Sequence, residues 1–139
     1  MINYHYETEF DLENIKEYTS WINTIVVSED VHLGDLSYIF CSDEYLIKIN
    51  QKYLGHDTYT DIVTFNYSEE DVISGEIYIS VDRVRENAVK FKEDFNKELR
   101  RVMAHGVLHL LGYNDKSKNE KEEMRTKEDE KINMFHVEQ

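Results

Sequence analysis

Residues 60–81, T-D-I-V-T-F-N-Y-S-E-E-D-V-I-S-G-E-I-Y-I-S-V, set the architecture. Residues 60–67 are β-branched and aromatic, which suits a pleated, half-buried surface. Residues 68–71 form an acidic turn. From 73 to 81 the pattern has a period of two. Ile73, Ile77, Ile79 and Val81 point one way, while Ser74, Glu76, Tyr78 and Ser80 point the other. The two runs predict a hairpin.

Upstream, strand and helix signals alternate. Ile2, Tyr4 and Tyr6 alternate with polar residues and predict a first strand. Asp11 is placed to cap a helix with Leu12, Ile15, Tyr18, Ile22 and Ile25 on one face. Residues 36–41 read as a second strand. Ser42 caps a short helix bearing Leu46, Ile49 and Tyr53, and Gly55 ends it. Downstream the signals are all helical. Val84, Ala88 and Phe91 mark one helix, and residues 94–111 a longer one. Ser117 and Glu120 form a capping box for a last, charged helix, whose Met124, Ile132 and Phe135 turn inward. The order β-α-β-α-β-β-α-α-α predicts an α+β fold. Its mixed sheet of about four strands is covered by helices, within one domain over residues 1–139.

The 139 residues include 29 acidic and 16 basic side chains, a formal charge of −13. The excess lies in residues 1–81, and the rest of the chain is nearly balanced. A protein that coats nucleic acid without specificity is basic, so an RNA partner must approach a local site here. DNA is not expected. No stretch approaches the roughly 18 apolar residues of a membrane span. The opening residues, M-I-N-Y-H, lack the basic-then-apolar pattern of a secretory signal. The single cysteine, Cys41, excludes an internal disulfide and reads as a small core residue. A cytoplasmic protein is expected, with no membrane association.

Chemistry concentrates in residues 105–115, H-G-V-L-H-L-L-G-Y-N-D. His105 and His109 are four apart. On a helix that is about 400° of turn, so the imidazoles lie about 40° apart and can share a cation. Apolar residues surround nearly the whole helix, which places the pair on a buried central helix, where unpartnered imidazoles are costly. Gly112 can end that helix in a left-handed cap and let Asp115 fold back. Ligands at offsets 0, 4 and 10 with glycine at 7 match metzincin spacing. Three protein ligands leave a fourth tetrahedral position open, as in catalytic zinc sites. The residue after the first histidine is Gly106, where H-E-x-x-H peptidases carry their glutamate base. Glycine there would let a backbone segment or a bulky substrate approach closely.

At this point H-G-V-L-H-L-L-G-Y resembles the signature of the YbeY family, metal-dependent endoribonucleases that mature ribosomal RNA. Residues 50–65, N-Q-K-Y-L-G-H-D-T-Y-T-D-I-V-T-F, are similar to the family's N-x-x-Y-R-x-x-D-x-P-T-D-V-L-S-F. Residues 75–80, G-E-I-Y-I-S, match its G-D-I-x-I-S strand, and V-D-R-V-R-E-N-A with the Glu98-Leu99 pair follows. The resemblance implies a zinc-dependent, single-strand-specific endoribonuclease. It would act in 16S rRNA 3′-end maturation and ribosome quality control, with one zinc per chain held by His105, His109 and Asp115. Precursor rRNA, the small ribosomal subunit and assembly factors such as the GTPase Era are the implied partners.

Three departures from the pattern stand out. Asp115 replaces the family's third histidine. A carboxylate still binds zinc, but its charge leaves the water there less acidified, so activity is expected at higher pH. Leu54 replaces an arginine suited to phosphate. His56, Lys52, Arg83 and Arg85 are the candidates to substitute for it. Tyr59 replaces a proline and is expected to alter only the turn. Asp57, Thr60 and Asp61 match positions near the family site and are equally turn formers. Glu98, on the histidine side of its helix, either supports the site or faces solvent. Two competing functions are a metallohydrolase acting on another substrate, such as a peptidase or amidase, and a non-catalytic ribosome assembly factor with a structural metal.

Overall fold

The computed structural model describes residues 1–55 and 59–135. Four strands are present: β1 (Ile2–Tyr6), β2 (His32–Cys41), β3 (Ile62–Asn66) and β4 (Val72–Ser80). The helices are α1 (Ile15–Ser28), α2 (Asp43–Ile49), α3 (Val81–Lys90), α4 (Phe95–Leu110) and α5 (Lys118–Ile132). A single π-helical turn, Asn50–Leu54, extends α2 up to Gly55, whose φ of 67° stops it. Sheet order is β1-β2-β4-β3. β2 pairs in parallel with β1 and with β4, while β3 runs antiparallel to β4. The expected hairpin and the α+β class are both present.

Period-two alternation sorts the sheet into two faces. Leu36, Tyr38 and Phe40 of β2 and Ile73, Ile77 and Ile79 of β4 enter one core with α1 and α4. On the other face, Cys41, Val63, Phe65 and Tyr78 pack with Leu46 and Ile49 of α2 and the adjoining turn. The buried Tyr38 hydroxyl donates to the Met103 carbonyl at 3.0 Å, pinning the middle of α4 to the sheet. That bond removes the penalty of burying a hydroxyl.

Three boundaries differ from expectation. Helix α1 begins at Ile15, because Asn14 adopts φ 59°, ψ 42°, a left-handed conformation that asparagine tolerates and a helix cannot include. Asp11 therefore does not cap it. Leu12 is buried from outside the helix, and Ile15 is 44% exposed. Strand β2 starts four residues early, at His32, and shifts register between Leu33 and Leu36. Val81 leaves the strand pattern and opens α3, because the Ser80 side chain caps the helix by accepting from the Arg83 N–H at 3.1 Å.

Helix α4 buries Leu99, Val102, Met103, Ala104, Gly106, Val107, Leu108 and Leu110. The remaining stripe, Arg101, His105 and His109, is only partly covered. Gly106 faces the sheet. A Cβ there would lie 2.8 Å from the Ile77 Cγ2 and 3.0 Å from the Ile62 Cδ1. The close approach at this glycine is thus made by the sheet and not by a substrate.

Candidate metal centre

The end of α4 explains how Asp115 reaches the histidines. Leu111 closes the helix and Gly112 takes φ 104°. The Gly112 N–H donates to the His109 carbonyl and the Tyr113 N–H to the Leu108 carbonyl, each at 3.0 Å. This 5→2 and 6→1 pairing is a Schellman cap, which reverses the chain and satisfies the last carbonyls. A second anchor holds the reversed segment. The Tyr113 hydroxyl donates to Glu29 at the end of α1 at 2.5 Å. Glu29 also accepts from Lys131 at 2.9 Å.

The three expected ligands come together. The His105 and His109 Nε2 atoms are 2.9 Å apart, and Asp115 Oδ2 lies 3.3 and 3.4 Å from them. Donors about 2.0–2.1 Å from a tetrahedral zinc lie about 3.3–3.4 Å from one another. The two edges to Asp115 match that spacing, and the 2.9 Å between the imidazoles is a few tenths of an ångström short of it. Within the described residues it is also the group of histidine, cysteine and acidic side chains close enough to share a cation.

The orientation of His105 comes from α5. Its Nδ1 lies 2.6 Å from Glu128 Oε2. Arg101, one turn earlier on α4, holds the other Glu128 oxygen at 3.0 Å and Asp129 at 2.9 Å. Glu128 is 5% exposed. A carboxylate behind a ligating imidazole fixes the tautomer, leaving Nε2 free for the cation. Burial opposes protonation of His105, but the Glu128 hydrogen bond and charge outweigh it and raise its pKa. Burial and the neighbouring His105 charge both lower His109. A cation entering here displaces a proton, which makes its binding pH-dependent.

A cleft of about 330 Å³ opens beside the triangle, bordered by His105, Asp115, Asp61, Glu98, Arg101 and Arg125 among others. Burial raises the Asp61 carboxyl above the ordinary carboxylate range, with the His105 charge pulling the other way. Asp61 thus lines the cleft. Thr60 serves its own strand, donating to the Ile62 carbonyl at 3.2 Å. Asp57 and His56 lie outside the described residues. Of the cations expected to replace the family arginine, Arg83 pairs with Asp43 and Glu86, Arg85 with Asp82, and Lys52 lies over the Tyr53 ring. Among the described residues, the cations at the cleft are Arg101 and Arg125. Leu54 is exposed at the end of its turn. Cys41 is buried, donates to the Ile79 carbonyl, and has its thiol pushed up to about 12 by burial. It is not a nucleophile.

Comparison with known proteins decides the ancestry. The family profile described as Endoribonuclease YbeY matches residues 2–136. The chain belongs to the YbeY endoribonuclease family. A Flavobacterium johnsoniae protein named endoribonuclease YbeY is 56% identical over 139 residues, which is 100% of both chains. A Flavobacterium psychrophilum protein of the same name is 52% identical over 139 residues, covering 100% of this chain and 99% of its own. A solution structure from Thermotoga maritima shares 33% identity and superposes with a TM-score of 0.67, covering 97% of this chain and 89% of that one.

Sequence reasoning missed Glu128 and Arg101. Neither carries a local signal, since Glu128 is one acid among many on a charged helix. No helix of the described residues is long and apolar enough to cross a membrane.

Proposed function

We propose that this endoribonuclease cleaves single-stranded RNA at one zinc ion held by His105, His109 and Asp115. Its role is 16S rRNA 3′-end maturation and ribosome quality control in the cytoplasm, with precursor rRNA, the small subunit and assembly factors as partners. Residues 1–139 serve as one catalytic domain. The observation that carries the reading is the donor triangle of 2.9, 3.3 and 3.4 Å beside an open cleft. Family membership supplies the substrate class.

Each side chain has a physical task. Glu128 holds His105 in the tautomer that presents Nε2. Arg101 keeps Glu128 aligned, through one of the charge-assisted bonds that are the strong ones. Arg125 is an exposed guanidinium at the rim, suited to an incoming phosphate. Asp61, raised by burial, can give or take a proton inside the cleft. A divalent ion supplies positive charge to a phosphate oxygen and lowers the pKa of water. The cleft admits one strand, because a scissile phosphate must enter beside partly buried imidazoles. A peptidase reading is disfavoured by Gly106, since a glutamate at that position would run into Ile77.

The test is metal content and RNA cleavage of the protein beside His109→Ala and Asp115→Ala. The expected result is near one zinc per chain, lost with cleavage in both variants while the circular dichroism spectrum is retained. A protein that takes up no zinc, or variants that cleave normally, would refute the assignment.

A further inference from the structure

The cleft extends beyond the metal triangle and ends on groups that the hydrolytic chemistry does not use. Glu98 lines it and is 5% exposed; its carboxylate makes no hydrogen bond or ion pair with any described residue, and its oxygens keep contact with the cleft. The Asn87 carboxamide, also in the lining, is likewise without a side-chain hydrogen bond among the described residues. At the rim stands Phe91, 56% exposed, where an aromatic ring gains nothing from the core. A carboxylate held mostly out of water with no protein partner is poorly solvated and gains from a ligand that donates to it. Burial indeed raises the Glu98 carboxyl, with Arg101 only partly opposing it.

The geometry points to a nucleobase subsite, and to guanine as its preferred occupant, with Phe91 as the stacking surface and Glu98 as the acceptor for the base edge. This rests on the RNA-cleaving reading and deepens it. Single-stranded RNA is recognised by stacking unpaired bases on aromatic rings and hydrogen-bonding their edges. Guanine presents two N–H donors side by side on its Watson–Crick edge. A carboxylate can accept both, and they restore the solvation that burial removed. Uracil, cytosine and adenine lack that adjacent pair. Asn87 can donate or accept and so complements a neighbouring carbonyl. The volume, about 330 Å³, is at the lower end of ordinary small-molecule sites. Because His105 and Asp115 border the same cleft, a base seated there lies next to the phosphate being cut.

The experiment is calorimetric titration of zinc-supplied protein with GMP, AMP, CMP and UMP. The four share ribose and phosphate, so their differences report the base. Wild-type protein is expected to prefer GMP over UMP by about tenfold or more. Glu98→Gln, nearly isosteric but with a donor in place of an acceptor, should lose that preference. Phe91→Ala should weaken all four. Equal affinities in the wild type, or a preference retained by folded Glu98→Gln, would overturn the subsite. If Glu98→Gln unfolds, the exposed position 91 carries the test, and unchanged binding by Phe91→Ala overturns it. Cleavage of a uridine-rich oligonucleotide with one guanosine separates the two readings. Cutting without regard to the guanosine removes the subsite and leaves the nuclease. Guanine-selective binding without any cutting removes the nuclease and leaves the subsite.

Discussion

Replacing Glu128 by Gln tests the whole arrangement behind His105. Glu128 Oε2 lies 2.6 Å from His105 Nδ1, in the short range of charge-assisted bonds. A hydrogen bond to a charged group contributes about 1.5–3 kcal/mol. Changing an outer partner of a ligating histidine lowers metal affinity about 10–100-fold, or about 1.4–2.7 kcal/mol. The two ranges agree. Glutamine also leaves Arg101 with Asp129 as its ionic partner, so the fold should survive. The assay is zinc competition against a chelator of known affinity at pH 7, with thermal melting of metal-free protein as the control. The expected outcome is a Kd weakened about 10–100-fold with a melting temperature changed by only a few degrees. A Kd within twofold of wild type would refute the reasoning, because His105 would then need no support from α5.

Other expectations follow from the same contacts. Gly106→Ala places a methyl 2.8 Å from Ile77, an overpacking worth about 1–3 kcal/mol. Melting should fall by roughly 3–10 °C, and a melting point no lower than wild type would contradict the packing. Glu29→Ala takes the nearer carboxylate from Lys131, which is 1% exposed and keeps Glu130 at 3.5 Å and the Ser28 hydroxyl at 2.9 Å. Losing one charge-assisted bond at a buried ammonium costs about 1.5–3 kcal/mol, readable by urea unfolding, and a loss below about 1 kcal/mol would show the pair to be idle. Burial pushes the Glu29 carboxyl up, but hydrogen bonds from Tyr113 and Lys131 and the lysine charges hold it below its ordinary 4.5. Its contribution is therefore full above pH 4.5 and fades as pH drops through the lowered folded value. A wild-type and Glu29→Gln stability difference that stays constant down to pH 3 would reject that linkage. Asp115→His exchanges an anionic donor for a neutral one and should move the acid limb of the cleavage profile to lower pH. A superimposable profile removes the charge argument. With a net charge of −13, binding to naked RNA should be weak and steeply salt-dependent; tight, salt-insensitive binding contradicts a purely local site.

Much of this protein is decided within a few residues of chain. The hairpin, the Ser42 and Ser117 caps, the Schellman reversal at Gly112 and the His105–His109 pairing all follow from local periodicity and local hydrogen bonds. Such features are legible because the interacting groups are never more than a turn or two apart. Even the return of Asp115 was legible, since one glycine at positive φ reverses a helix within three residues. The start of α1 was not, because Asn14 in the left-handed region overrides a sound helical pattern across Leu12 and Ile15. What only the tertiary structure decided is which distant groups meet. Glu128 reaches His105 across 23 residues, and Tyr113 reaches Glu29 across 84. Gly106 faces the sheet and not the cleft. Glu98 and Phe91, seven and fourteen positions before His105, line its cleft. Apart from Glu98, which shares a helix face with His105, none of these pairings is encoded by spacing. Each depends on how α5, α3 and the sheet dock on α4, and docking is set by the summed burial of apolar surface, which has no direction along the chain.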